Sequence, residues 1–304
     1  MVNIISELSS KGLLPHAPSF LASSAQYLVI MGSVAYGVSN DTSDMDVYGF
    51  AIPPKDILFP HVRGEIPGFD AFEPLFHQFQ QHHIWDATAL GGKGREYDLT
   101  VYSISKYFRL LMDNNPNIID SLYVPENCIL YASPIAKRIR EKRQIFLHKG
   151  CWSKFKGYAY SQLHKIRTKQ PEGSRKQYIE KYGYDVKFAY HVVRLLDEVE
   201  QLLTTQELNL SRNKEQLKSI RRGEWSLAQL EQYFSDKESH LEEIYTKSSL
   251  PEKPDIDSIR HLLIDCLEEH YDTFEDIVIP VDRSYDALKK IANILKDEGI
   301  MYNS

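Results

Sequence analysis

Two aspartates separated by one residue, Asp44 and Asp46, have the types and spacing in this chain that are best suited to chemistry. Side chains two positions apart on a β-strand lie on the same face, so the two carboxylates are expected side by side. Divalent cations stabilise such a pair, and hard oxygen ligands suit Mg²⁺ or Mn²⁺, which commonly hold substrate phosphates as well. The spacing therefore predicts a metal site that serves a phosphorylated substrate.

The residues before this pair predict the elements that position it. An apolar run at 27–30, Tyr-Leu-Val-Ile, is typical of a buried strand, and it stops at Gly32-Ser33. The glycine lets the backbone approach a phosphate closely, and the serine offers a hydroxyl and a backbone N–H. Turn-forming residues from Gly37 to Ser43 then lead into the strand that carries the aspartates. A phosphate-binding turn and a carboxylate pair are thus expected at one edge of a sheet.

A third carboxylate is expected on a later strand, because two-metal phosphoryl transfer usually needs one to complete the metal site. The stretch 95–102 alternates as a strand does, with Tyr97, Leu99 and Val101 on one face. Glu96 and Asp98 share the other face, and the alternation alone does not choose between them.

The order of Gly32-Ser33 and Asp44-Met45-Asp46 resembles the signature of the DNA polymerase β superfamily of nucleotidyltransferases, a Gly-Ser followed about ten residues later by Asp-x-Asp. Within that superfamily, the chain is similar to a bacterial and phage group of predicted nucleotidyltransferases associated with RNA repair. The likeness extends from about residue 27 to about residue 230. The segments that carry it are 31–53, 115–117, 183–191 and 220–225.

The resemblance implies an α+β fold, in which a polymerase-β-like nucleotidyltransferase domain with a small mixed β-sheet precedes a mostly α-helical domain. We expect these domains to span residues 1–130 and 131–304. The implied reaction is the metal-dependent transfer of a nucleoside monophosphate from an NTP to a hydroxyl, with RNA as the favoured acceptor. Two alternatives stay open: a protein or small-molecule hydroxyl as acceptor, and a non-catalytic regulator that binds nucleotide or RNA.

The resemblance also assigns roles to individual residues. Gly32 and Ser33 would bind the phosphates of the NTP, and the Asp-x-Asp pair would hold Mg²⁺ or Mn²⁺. Because members of the family carry an aspartate near the start of a strand that leads into a helix, the likeness favours Asp98 over Glu96 as the third catalytic and metal-binding carboxylate.

A helix predicted over 184–203 carries further candidates for nucleotide binding. Lys187, His191 and Arg194 are spaced i, i+4 and i+7, which aligns them on one helix face beside an apolar stripe. Such a row could clamp a triphosphate, with lysine as a point charge and arginine as a bidentate ligand. The alternative is an ordinary amphipathic helix with a basic edge, and the family likeness favours the clamp. Arg221 and Arg222 could serve the acceptor or interact with a helix C-terminus.

The composition is that of an ordinary globular protein. The 304 residues are 42% hydrophobic and 26% charged, without a cleavable-looking leader or an apolar run of membrane-spanning length. We therefore expect a cytoplasmic protein with no membrane partner. Three scattered cysteines are too few for a disulfide framework or a zinc site, and the sequence leaves the oligomeric state open.

The distribution of charge is more informative than the net charge of −6. Residues 151–230 carry 15 Lys and Arg against 9 Asp and Glu, a balance of +6, whereas residues 231–304 carry 8 against 18, a balance of −10. In the basic segment, aromatic residues lie between the cations, which suits phosphate contacts and base stacking in RNA. The alternative is a solvated helix surface with ordinary core aromatics. The residues concerned are Lys154, Lys156, Lys165, Arg167, Lys169, Arg175, Lys176 and Lys181, with Trp152, Phe155, Tyr158, Tyr160 and Tyr178.

The remaining segments give weaker predictions. Residues 61–94 are rich in Pro, Gly and His and are expected to be irregular, with a helix near 71–84. The histidines in that segment, His77, His82 and His83, do not have the spacing of a zinc site. From residue 103 onward, apolar residues recur at three- and four-residue steps, which predicts helices.

Overall fold

A computed structural model describes residues 3–39, 43–59, 75–169, 175–272, 288 and 290–295. Within them, a five-stranded sheet contains β1 (Ala25–Ile30), β2 (Met45–Ala51), β3 (Gln78–Asp86), β4 (Arg95–Ser103) and β5 (Ile129–Ala132). The strand order is β3-β4-β2-β1-β5. β2 and β4 are parallel, and the other neighbouring pairs are antiparallel, so the sheet is mixed.

The helices surround the sheet and make up most of the second half of the chain. They are α1 (Ile4–Ser10), α2 (Leu21–Ser24), α3 (Gly32–Ala35), α4 (Lys55–Leu58), α5 (Ala89–Gly92), α6 (Ile104–Met112), α7 (Pro116–Tyr123), α8 (Pro134–Glu141), α9 (Gly150–Thr168), α10 (Arg175–Tyr182), α11 (Val186–Thr205), α12 (Lys214–Arg221), α13 (Leu227–Lys247) and α14 (Ile256–Tyr271). None of the described helices is both long enough and apolar enough to cross a membrane.

Several helices begin where the sequence supplies a capping group. The Asn115 side chain accepts a hydrogen bond from the first turn of α7, and Pro116 follows at the first helical position, where its missing N–H costs nothing. Asp185 caps α11 in the same way. Ser226 and Gln229 form a reciprocal capping box at the start of α13.

The two faces of the sheet pack against different layers. Tyr27 and Val29 of β1 belong to the larger core, which the sheet shares with the helices of the second half of the chain. Leu28, which points to the opposite face, packs in a smaller core with Ile5 and Leu8 of α1. Both faces of β1 are therefore buried, as its uninterrupted apolar sequence predicts.

The α+β fold with a small mixed sheet and many helices is confirmed. The helix expected near 71–84 is wrong, because Gln78–Asp86 forms edge strand β3; residues 71–74 lie outside the described part of the chain. A bulge in β3 separates the buried residues Phe79 and Ile84 by five positions, so the sequence shows no regular two-residue period. The division into two domains stays a prediction, although β5 extends the sheet to Ala132, beyond the expected boundary at 130.

Candidate active site

Three carboxylates lie together where two parallel strands begin. Asp46 is the second residue of β2, and Asp44 immediately precedes that strand. In the parallel pairing of β2 with β4, Asp98 is the direct partner of Asp46. Because partners in a parallel ladder present their side chains to the same face, Asp46 and Asp98 are neighbours across the sheet. The structure thus brings together the three carboxylates that the sequence analysis selected.

Gly32 fixes the distance between the Gly-Ser turn and Asp46. Its φ of +64° lies in the left-handed region, which glycine adopts without steric cost. A Cβ atom built on Gly32 would lie 1.9 Å from Asp46 Oδ2, so no other residue fits unless the carboxylate moves. The backbone N–H of Met31 also donates to the Asp46 carbonyl at 2.7 Å. The turn and the carboxylate are therefore held in direct contact.

Burial and neighbouring carboxylates raise the pKa of Asp44 and of Asp46. Burial raises the pKa of Asp46 to about 6, and the charges of Asp98 and then Asp44 act in the same direction. Burial also raises the pKa of Asp44, with the nearby Glu96 as the next cause. Asp98 is thus the carboxylate that acts most strongly on Asp46, whereas Glu96 acts more strongly than Asp98 on Asp44, so the choice of Asp98 as the third member stays a prediction.

A polar cleft of about 550 Å³ opens beside these carboxylates. Ser33 lines one side of it together with Gly32, Asp44 and Asp46, and α11 supplies the opposite side. Asp98 lies next to Asp46 on β4 but does not itself line the cleft. The volume is in the range of sites that bind small molecules and cofactors, and a nucleotide would fit.

The first turns of α11 bring two of the three predicted clamp residues to the cleft. Lys187 and His191 both line it, and the Lys187 side chain makes no hydrogen bond or ion pair with any residue that the structure describes. Burial lowers the pKa of His191 well below its ordinary value, and the charge of Arg194 acts in the same direction. His191 is therefore a neutral hydrogen-bonding group at physiological pH, and Lys187 is the cation.

Arg194, the third predicted clamp residue, does not reach the cleft. It is 2% exposed, and its guanidinium lies 2.5 Å from Asp120 Oδ2 and 3.2 Å from Glu198 Oε1. It also donates to the hydroxyl of Tyr36, which in turn donates to Asp120 at 2.8 Å. Arg194 lies about one helical turn beyond His191. At that point the row of basic residues on α11 has turned towards the apolar stripe of the same helix, so the Arg194 side chain lies in the core. Arg194 is therefore a core residue that does not line the cleft.

The cleft also contains residues to which sequence reasoning gave no place in the nucleotide site. Arg175 and Tyr178 of α10 line it, as do Tyr190 of α11 and Arg221 at the end of α12. Arg221 also donates to the backbone carbonyl of Val38, just after the Gly-Ser turn. All four fall in or near segments that carry the family likeness or the basic charge, but their convergence depends on how α10, α11 and α12 pack together.

Comparison with known families decides the relationship that this geometry suggests. A model of the RlaP family, described as an RNA repair pathway DNA polymerase beta family, matches residues 22–265. The chain belongs to this family. The RlaP match includes all three carboxylates, the Gly-Ser turn and every residue named above as lining the cleft. The protein is accordingly a polymerase-β-like nucleotidyltransferase by family.

Other comparisons add little to the RlaP assignment. A solved structure of a nucleotidyltransferase-like protein from Exiguobacterium sibiricum 255-15 is 11% identical, with alignment over 98% of this chain and 91% of that chain and a TM-score of 0.27. Among curated proteins, no match was found.

The carboxylate group of this RlaP protein suits a divalent cation. Its donors are carboxylate oxygens, which Mg²⁺ and Mn²⁺ prefer, and burial followed by the charges of Asp98 and Asp44 raises the pKa of Asp46. Asp44, Asp46 and Asp98 stay the residues predicted to hold such an ion, and in the described part of the chain the ligand atoms that lie within 4.8 Å of one another are those of His83, Glu96 and Asp98.

Much of the charge in the basic segment is paired within the RlaP protein itself. Lys156 of α9 lies 2.8 Å from Glu238 and 2.7 Å from Glu242 on α13, and Arg167 pairs with Glu231 at 2.5 Å. Of the aromatic residues, Trp152 and Phe155 are core residues, whereas Tyr178 lines the cleft. The opposite charges of the two segments therefore serve, in part, to dock α13 against α9.

A second group of cations in that segment has no such pairing with α13. Lys165, Lys169 and Arg175 surround the ring of Phe188, at 5.9, 6.0 and 4.5 Å from its centroid. Arg175 also pairs with the capping residue Asp185 at 3.0 Å. Since Arg175 lines the cleft, this group extends the positive charge from the cleft along α9.

Proposed function

We propose that this RlaP-family protein transfers a nucleoside monophosphate from an NTP to a hydroxyl group of RNA and releases pyrophosphate. The observation that carries the proposal is the placement of three carboxylates on adjacent parallel strands, against a Gly-Ser turn and beside a basic cleft. Charge of both signs at one site is what a polyphosphate and its cations require.

The cleft residues account for binding of the NTP. Among the described residues, the backbone N–H groups of Gly32 and Ser33 donate to no backbone carbonyl. Both groups can therefore donate hydrogen bonds to phosphate oxygens. Lys187 offers a compact positive charge on the opposite side, and the neutral His191 offers a hydrogen bond. These groups would orient the triphosphate so that its α-phosphorus faces the carboxylates.

The carboxylates account for the chemical step. Asp44, Asp46 and Asp98 would hold divalent cations that offset the charge of the phosphates and make the acceptor hydroxyl easier to deprotonate. The acceptor oxygen forms a bond to the α-phosphorus, the bond from that phosphorus to the oxygen bridging the β-phosphate breaks so that pyrophosphate leaves, and the hydroxyl proton passes to solvent water. Asp98, which pairs with Asp46 across the two strands, would take the acceptor side of the group. The protein forms no covalent intermediate in this scheme.

Two observations support RNA as the acceptor. The matching family is described by its place in RNA repair. The cations around Phe188 continue the positive charge from the cleft along α9, as an extended polyanion would need, whereas a small-molecule acceptor would not.

The proposal is tested by incubating the protein with Mg²⁺ and each of the four NTPs, labelled at the α-phosphate, with separate pools of RNA and protein. We expect label in the RNA pool, read as an added nucleotide on a sequencing gel. Label in the protein pool alone would contradict the RNA acceptor but retain the transfer chemistry. NTP binding by calorimetry with no pyrophosphate release on any acceptor would instead indicate a non-catalytic regulator.

A further inference from the structure

A bulge in β3 places the backbone of His83 against Asp98. The pairing with β4 runs from Gln81 opposite Leu99 to Ile84 opposite Tyr97, so β3 carries one extra residue there. His83 has a φ of +54°, an unfavourable conformation for a residue with a Cβ. In this conformation its backbone N–H donates to Asp98 Oδ1 at 2.8 Å. The bulge thus supplies a fixed donor to one oxygen of the third carboxylate.

The side chain of His82 approaches the other oxygen of the same carboxylate. Its Nδ1 lies 3.2 Å from Asp98 Oδ2. Its other ring nitrogen, Nε2, lies 2.6 Å from the side-chain nitrogen of Gln80. An amide nitrogen only donates, so in this pairing His82 Nε2 accepts, and whenever the ring is neutral its proton lies on Nδ1, facing Asp98.

Gln80 is oriented in its turn by Gln78. The Gln78 amide nitrogen donates to Gln80 Oε1 at 3.4 Å, which leaves the Gln80 nitrogen pointing along the strand to His82. Gln78, Gln80 and His82 alternate along β3 and therefore share one face. Their donors all point in one direction along the strand, towards Asp98.

We propose that Gln80, His82 and the backbone of His83 are positioning residues for Asp98 in the nucleotidyl transfer. His83 contacts one oxygen of Asp98 and His82 contacts the other. Because a carboxylate has about four lone-pair sites, each oxygen keeps a lone pair for a cation or the acceptor hydroxyl. Groups that orient a metal-binding carboxylate in this way commonly change activity when removed. The role in transfer rests on the proposed function; the arrangement of protons does not.

The arrangement of protons is tested on the full chain by nitrogen NMR of histidine-labelled protein at pH 8, with His82→Asn used to assign the His82 ring. We expect the Nδ1–H tautomer in the wild type and a shift towards the Nε2–H tautomer in Gln80→Leu. The inference is overturned if the wild type has the Nε2–H tautomer. It is also overturned if the tautomer is the same in Gln80→Leu as in the wild type. This measurement needs no activity, so its failure is distinguishable from failure of the proposed reaction.

The positioning role is tested by steady-state kinetics. We expect His82→Ala to lower kcat about 10-fold with an unchanged KM for NTP, because the ring contacts Asp98 and not the cleft. His82→Asn should recover part of kcat, since its amide nitrogen can lie near the position of Nδ1. His77→Ala, at another exposed histidine just before β3, is the matched control and should behave as wild type. Wild-type kcat in His82→Ala, or no recovery in His82→Asn, overturns the role.

Discussion

At the scale of residues, the carboxylates and the glycine were the most predictable part of the site. Asp44 and Asp46 could be selected because a two-residue spacing has a fixed geometric meaning on a strand. Arg194 could not be judged from its spacing, because a basic row on a helix is compatible with a cleft and with a buried ion pair. The contact with Asp120 of α7 decides between these two possibilities, and Asp120 is distant from Arg194 in the sequence.

A glycine substitution tests the contact between the turn and the carboxylate. In Gly32→Ala, the new Cβ would lie 1.9 Å from Asp46 Oδ2, so Asp46 must move. A displacement of about 1 Å at the reacting centre costs on the order of 100-fold in rate. We therefore expect Gly32→Ala to lose about that much kcat while the fold is retained. Gly12→Ala is the matched control, since its φ of +71° imposes similar backbone strain but no atom lies within 4 Å. Equal activity in both variants would contradict the contact.

The raised pKa of Asp46 predicts a pH dependence of stability without metal. An aspartate has a pKa of about 4 when unfolded, so protonated Asp46 favours the fold below that pH, and the benefit is lost as the pH rises through about 6. Asp46→Asn should therefore gain stability relative to wild type between pH 4 and 7, by at most about 3 kcal/mol for a shift of roughly two units. Urea unfolding in EDTA measures this, and a difference that does not vary with pH would argue against it.

At the scale of elements, long helices and the motif strands followed from the sequence, and the edge strands did not. Among the helices predicted after residue 103, α13 (Leu227–Lys247) is observed, because its apolar residues recur at helical steps and a capping box marks its start. β3 was missed because its bulge interrupts the alternation of buried and exposed residues. The same bulge brings the backbone N–H of His83 to Asp98 on β4. β5 was missed because four residues are too few to show a period.

The buried charges of α11 should hold elements together. Arg194→Ala leaves Asp120 of α7 and Glu198 buried without their shared cation, and burial already raises the pKa of both carboxyl groups. We expect a loss of about 3–5 kcal/mol in the free energy of unfolding, measured in urea at pH 7. The double variant Arg194→Ala, Asp120→Asn should recover part of it. Unchanged stability with lost NTP affinity would instead restore Arg194 as a phosphate ligand.

At the scale of the whole molecule, the sequence shows that positive and negative charge are unevenly distributed. It does not show which of these charges pair with each other within the protein. Part of the basic excess in 151–230 is neutralised by the acidic face of α13, which composition alone cannot reveal. Lys165 and Lys169, which form no ion pair with any residue that the structure describes, lie around Phe188. The surface that we propose for RNA binding is therefore smaller than the count of lysines and arginines suggests.

Two sets of variants separate these uses of charge. Lys165→Ala with Lys169→Ala removes two cations near Phe188, whereas Arg167→Ala removes one that pairs with Glu231. For single-stranded RNA, each lost phosphate contact lowers the salt slope of the affinity by about 0.7, so we expect a decrease of about 1.4 in the double variant and little change in Arg167→Ala. Fluorescence anisotropy over a series of KCl concentrations measures both. An equal effect in the two proteins would contradict the assignment.

The most direct test of the carboxylate site is Mg²⁺-dependent transfer of an α-phosphate label from NTP to RNA by wild type and Asp46→Asn. The exposed Asp265 of α14 supplies the matched control Asp265→Asn. We predict that Asp46→Asn loses about 1,000-fold or more of the transfer rate while it remains folded, and that Asp265→Asn keeps the wild-type rate. An Asp46→Asn protein with full NTP-dependent transfer would contradict the assignment of this site.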